Sequence, residues 1–208
     1  SFRMENIFMT CGAAASLNIC LKALLNAGEE VITFAPFFPE YRVWVEGVGA
    51  TLNVIPAKLP DFQIDAAAFE QAITPKTKVV IVNTPNNPSG VVYSEETIQN
   101  LCTILKKKSE EYGAPIYLIT DEPYREIVYD DIEVPYLTKY YDDTLVCYSY
   151  SKSLSLPGER IGYIVIPDRI ADHEHVAPAI AGAARVLGFV CAPSLFQQVV
   201  AKCVDDTG

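Results

Sequence analysis

Short apolar runs alternate along the chain with longer stretches in which apolar residues return every three or four positions. The short runs are Glu30–Phe34, Thr51–Ile55, Lys78–Val82, Ile116–Thr120, Leu145–Tyr150 and Gly162–Ile166. Most are continuous Val, Ile, Leu and Tyr, the pattern of parallel strands covered on both faces. The helical period predicts helices at Ala13–Asn26, Glu40–Gly47, Asp65–Ala72, Ser94–Tyr112 and Ser194–Cys203. Asp65 is a good capping residue, and Gly28 and Gly113 stand where helices stop. This alternation predicts an α/β fold. No Pro-, Gly- or Ser-rich tract divides the chain and no segment repeats, so residues 1–208 read as one domain. Asp168–Gly188 gives no clear element.

Composition narrows the classes. Half of the 208 residues are hydrophobic, enough for a sizeable core. The net charge of -10 argues against nucleic acid, whose phosphates would be repelled. No apolar run reaches the ~18 residues of a membrane span, and no charged-then-apolar leader opens the chain. The six cysteines are scattered and several lie in apolar runs. Reduced thiols and a cytoplasmic location are therefore expected. The chain opens at Ser1 without Met and closes on Asp205-Asp206-Thr207-Gly208 just after a helical pattern, so a piece of a longer protein is expected.

Five clusters carry candidate chemistry. Gly12-Ala13-Ala14 opens the first helix, where small residues let an anion reach backbone N–H groups; it also reads as a plain tight turn. Phe37 and Phe38 follow the strand ending at Phe34, either as core or as a stacking surface for a flat ring. Asn83 to Gly90 follows another strand end; it is a turn by composition, but its asparagines can also bond a ring hydroxyl, and a cis X-Pro bond would fix that geometry. Asp121 ends a buried strand with Tyr124 three residues on: either a cap and a core tyrosine, or a carboxylate for a protonated ring nitrogen. The run Ser149-Tyr150-Ser151-Lys152 with Arg160 combines an amine with groups that grip phosphate. A lone lysine is ordinarily solvated surface, and Ser149 and Arg160 change that reading. His173 and His175 read as a solvated helix face rather than a metal site, so no metal is expected. Arg185 reads as surface, with substrate contact across a dimer interface as the alternative.

Taken in this order, the clusters resemble the class I and II aminotransferases, fold-type I enzymes that use pyridoxal 5'-phosphate. The match runs from about Asn6 to at least Pro167. It rests on Asn87-Pro88-Ser89-Gly90, on Asp121-Glu122-Pro123-Tyr124, and on Ser149-Tyr150-Ser151-Lys152 with Arg160-Ile161-Gly162. The resemblance implies a three-layer αβα cofactor domain with a mixed, mostly parallel sheet of about seven strands. It implies that Lys152 forms the Schiff base and shuttles the proton, and that Asp121 pairs with the ring nitrogen. Tyr124 and Asn87 would bond the ring hydroxyl, Phe38 would stack on the ring, and Gly12, Ala13, Ala14, Ser149 and Arg160 would grip the phosphate. The implied substrates are an α-amino acid, aspartate or aromatic by default, and a 2-keto acid; a homodimer is implied as well.

Departures from the pattern qualify this. Relatives of this kind are about twice as long, with an N-terminal segment and a C-terminal small domain, so the chain is expected to be the large domain and to transaminate poorly by itself. Ala13 and Ala14 stand where relatives often carry hydroxyl or basic residues. A β-lyase or an aminocyclopropane-carboxylate-synthase-like enzyme shares the same cofactor residues. A non-enzymatic cofactor-sensing regulator domain and a fragment that binds nothing remain open.

Overall fold

Val79, Val80, Ile81 and Val82 pack alternately into two different hydrophobic clusters, one on each face of their strand. That is how a continuous apolar run behaves when both faces are covered. The computed structural model describes residues 2–203. Its seven strands are β1 (Ile7–Thr10), β2 (Glu30–Phe34), β3 (Thr51–Ile55), β4 (Thr77–Asn83), β5 (Tyr117–Asp121), β6 (Thr144–Ser149) and β7 (Gly162–Val165). The sheet order is β1-β7-β6-β5-β4-β2-β3. β7 runs antiparallel to both neighbours, and the remaining pairs are parallel.

The helices are α1 (Ala13–Leu24), α2 (Glu40–Gly47), α3 (Ala66–Ala72), α4 (Glu95–Tyr112), α5 (Tyr150–Ser153), α6 (His173–Val186) and α7 (Ser194–Cys203). α1, α2 and α6 cover one face, packing Leu17, Leu21, Tyr41, Val45, Val176 and Ile180 on the sheet. α3 and α4 cover the other with Phe69, Ile98, Leu101 and Leu105. α7 joins a small third cluster around Ile161, Ala192 and Val200. The result is a three-layer αβα sandwich with a mixed, mostly parallel sheet of seven strands, as expected.

Capping follows the sequence. The Asp65 side chain accepts from the backbone N–H of Ala67 and Ala68, Ser94 accepts from Thr97, and Gly113 ends α4 in the left-handed conformation. Four features differ from the sequence expectation. β1 is a four-residue, half-exposed edge strand, too short to show a period. β6 stops at Ser149, and Tyr150 begins the one-turn helix α5. The unclear segment holds α6, whose interior Pro178 hid the pattern because proline removes a helix hydrogen bond. α1 also ends at Leu24, two residues before the expected Asn26.

Candidate functional site

The carboxyl ends of β4, β5 and β6 lie side by side. Asn83 is in register with Asp121, and Asp121 with Cys147. Ligands of parallel α/β sheets bind off these ends. A cleft of about 290 Å³ opens there, lined by Ala13, Ala14, Phe38, Asn87, Asp121, Tyr124, Ser149, Lys152 and Arg160, with Leu17, Pro123, Ser151 and Pro157. Nine of the ten expected site residues thus face one cavity. Gly12, the tenth, lies directly behind it: a Cβ there would sit 2.7 Å from Nη2 of Arg160.

Asp121 is fully buried at the end of β5. Its Oδ2 accepts a 2.6 Å hydrogen bond from the Tyr41 hydroxyl, whereas its Oδ1 is buried without a partner among the described residues. Burial pushes its pKa up to about 7, against the lowering effect of the Tyr41 bond and with a further push from Glu122. Asn83 donates from Nδ2 to the Asp121 carbonyl at 2.8 Å, and its Oδ1 accepts from the Asn87 N–H at 2.6 Å. One buried amide therefore ties the β5 end to the loop that carries Asn87. Asn86 ties the same loop to Pro36. The Thr84–Pro85 and Asn87–Pro88 bonds in this loop are both cis, and so is Ala35–Pro36.

Tyr124 lies beside this group. Burial raises its pKa first, the Asp121 charge adds to that, and a hydrogen bond from Asn87 opposes it. Phe38 stands half-buried, edge-on to Tyr41 at 5.8 Å and tilted against Trp44 at 6.2 Å. Its ring is thereby held at the cleft wall.

The other wall is the turn after β6. The Ser149 side chain caps α5 by accepting from the Ser151 N–H, and the two hydroxyls lie 2.7 Å apart. Lys152 is exposed, its Nζ 5.8 Å from the Tyr124 ring centre. Arg160 donates from Nη1 to the Pro157 carbonyl at 2.6 Å and has a positive φ of 53°, a conformation costly for a side-chain-bearing residue. Across from it α1 begins at Gly12, φ 90°, and the first turn of a helix leaves its N–H groups without internal partners. Gly162 lets these segments meet, since a Cβ there would overlap the Tyr148 carbonyl and lie 2.9 Å from the Gly12 Cα. The arrangement offers a buried acceptor at one end, an anion cradle at the other, and an amine between them.

Tyr41, Asn83 and Ser151 belong to the site although the sequence motifs did not single them out. Tyr41 lies three residues after Phe38, in the first turn of α2, and its ring packs edge-on to Phe38. Asn83 gave no signal beyond composition. Outside the cleft, His173 and His175 open α6, with His173 3.9 Å from Asp168. Arg185 is exposed on its last turn.

Comparison with known proteins agrees with this geometry. The family described as aminotransferase class I and II matches residues 1–208. An aspartate aminotransferase of Thermotoga maritima is 33% identical over 170 residues, covering 80% of this chain and 44% of the relative. The crystal structure of an amino transferase from Eubacterium rectale superposes with a TM-score of 0.96 at 60% identity, covering 98% of this chain and 51% of that one. A mutant of the aspartate aminotransferase of Thermus thermophilus superposes with a TM-score of 0.87 at 27% identity, covering 99% and 53%. The chain thus spans about half the length of the relatives it matches. Aminotransferases of this family and fold depend on pyridoxal 5'-phosphate. With the family match running the full sequence, the chain belongs to the class I and II aminotransferases.

Proposed function

We propose that residues 1–208 are the cofactor-binding large domain of an aminotransferase that moves an amino group between an α-amino acid and a 2-keto acid. The observation that carries this reading is the orphaned Oδ1 of Asp121 in the same cleft as Lys152. A buried carboxylate oxygen without a donor is costly, and a cationic N–H is the partner that relieves it. Support at the other end comes from the Gly12 turn, where the guanidinium of Arg160 occupies the space a Cβ would fill. Both ends fit pyridoxal phosphate.

Bound there, the cofactor supplies an aldehyde for an amine and an electron-poor ring that takes up negative charge. Asp121 would hold the ring nitrogen protonated, because its buried carboxylate stabilises a positive neighbour. Phe38 would fix the plane of the ring. Asn87 and Tyr124 would orient its hydroxyl. The N–H groups at Gly12, Ala13 and Ala14, with Ser149 and Arg160, would hold the phosphate, Arg160 through its planar fork. Lys152 would anchor the cofactor through Nζ; once displaced by the substrate amine, Nζ would take the proton from the substrate's α-carbon and deliver it to the cofactor's aldehyde carbon.

An aspartate or aromatic donor is the default proposal. Support for the amino-group transfer is the family membership; support for aspartate is the name of the Thermotoga relative. The working form is proposed to be a homodimer in the cytosol, where the six free cysteines would stay reduced. No described helix is long and apolar enough to cross a membrane. The matches span about half of longer relatives, so this stretch alone is proposed to turn over amino and keto acids poorly. Borohydride reduction after mixing with pyridoxal phosphate, followed by peptide mass spectrometry, tests the reading. A pyridoxyl mass on Lys152 is expected; label spread over surface lysines, or none, would overturn it.

A further inference from the structure

Tyr148 is the penultimate residue of β6, and its hydroxyl is shared. It lies 2.9 Å from Oε2 of Glu126 and 2.8 Å from Oγ of Ser153. A phenol has one proton, and an ionised carboxylate only accepts. The Tyr148 hydroxyl therefore donates to Glu126 and accepts from Ser153. Burial first, and then the Glu126 carboxylate, push the phenol's pKa up against the Ser153 bond, so it stays a donor.

The two ends of this relay sit on different turns. Ser153 directly follows Lys152 and ends α5. Glu126 comes two residues after Tyr124 in the loop leaving β5. The Tyr148 ring between them is itself held, stacked on Tyr163 at 5.0 Å and edge-on to Tyr150 at 5.1 Å. A four-residue helix cannot hold its own geometry. Ser149 secures its front end through the cap, while its back end beside Lys152 is secured by Ser153.

We infer that Tyr148, Ser153 and Glu126 are positioning residues for Lys152, clamping the turn that carries the amine to the loop that carries Tyr124. None of the three lines the cleft, so they act through the residues that do. Two groups that work on one bound ring have to keep a fixed separation, and a displacement of an ångström is expensive. The inference rests on the proposed role of Lys152.

The test uses the 208-residue chain. Tyr148→Phe keeps the stacked ring and removes the hydroxyl. Ser153→Ala removes the donor at the far end, and Ser153→Thr keeps it. Each is mixed with pyridoxal phosphate while the visible absorbance and its induced circular dichroism are followed, then reduced and mapped. Tyr148→Phe and Ser153→Ala should slow labelling of Lys152 on the order of tenfold and weaken the dichroic band, and Ser153→Thr should restore both. Wild-type rates in both deletion variants would overturn the clamp. So would a Ser153→Thr variant no better than Ser153→Ala, because lost packing would then explain the defect. Trace acetylation with acetic anhydride, without cofactor, keeps the two readings apart. Should the parent chain take no cofactor at Lys152, the functional reading fails, and the clamp is judged by the share of acetyl groups on Lys152. That share should differ between the parent and Tyr148→Phe; an unchanged share would sink the clamp.

Discussion

On one wall of the cleft, Asp121 and Asn83 end neighbouring parallel strands, buried and bonded to Tyr41 and to the Asn87 loop. On the opposite wall, Lys152 and Arg160 are exposed, one on a single helical turn and the other with a positive φ. The sheet ladder fixes the first wall, and its low dielectric makes charge there expensive and therefore tunable. The second wall is anchored by caps and side-chain bonds. In the proposed role of Lys152 its amine would need room to attach, leave and move a proton, which a strand position would deny it. The proposed roles would suit this contrast, the acid held within the sheet and the amine on an exposed turn.

The largest expected effect tests the exposed wall. Lys152→Ala should abolish the borohydride-fixed adduct altogether, measured by intact mass; residual specific labelling at another residue would break the contrast. Next comes the buried wall. Asp121→Asn should weaken cofactor binding about 10- to 100-fold, the worth of a charged hydrogen bond, as read by absorbance titration. The same variant carries a pH signature. The pKa of Asp121 is about 7 in the folded chain against 3.8 as the reference value. The folded state holds this proton more tightly, so its stabilisation is complete below about pH 4 and lost as pH rises through about 7. Without cofactor, the parent's unfolding midpoint should fall across that window, and Asp121→Asn should flatten the slope.

A smaller effect is expected at the phosphate end. Arg160→Lys keeps the charge and loses the fork, which should cost roughly tenfold in affinity for pyridoxal phosphate. Affinity for pyridoxal without its phosphate should be unchanged, and an equal loss for both would point to damaged packing instead. The smallest effect lies outside the cleft. Asp65→Ala removes the cap of α3 and should lower stability by about 1 kcal/mol in denaturant titration, leaving cofactor affinity as it was.

Much of this was legible beforehand because it is local. Six of the seven strands follow from apolar runs and five helices from their period, with Asp65 marking where one of them starts. The candidate cofactor residues could be named because Asn87, Asp121, Lys152 and Arg160 sit in short motifs at or near strand ends. β1 was not legible, since a four-residue edge strand has no period to show. α6 was masked by Pro178 within it. Asn83 lay inside a noted cluster and Tyr41 just beyond Phe38, yet neither residue says by itself which group it will bond.

The sequence by itself determined the fold class, the family and the set of reactive groups, because periodicity, caps and motifs act over a few residues. Only the tertiary structure decided which groups share a partner. It left Oδ1 of Asp121 without a donor, brought Tyr41 to Oδ2 from 80 positions away, and joined Ser153 to Glu126 through one phenol. The Tyr41 and Glu126 contacts join segments 80 and 22 residues apart, set by strand order and the loops between strands, and no local pattern encodes the distance between two strand ends.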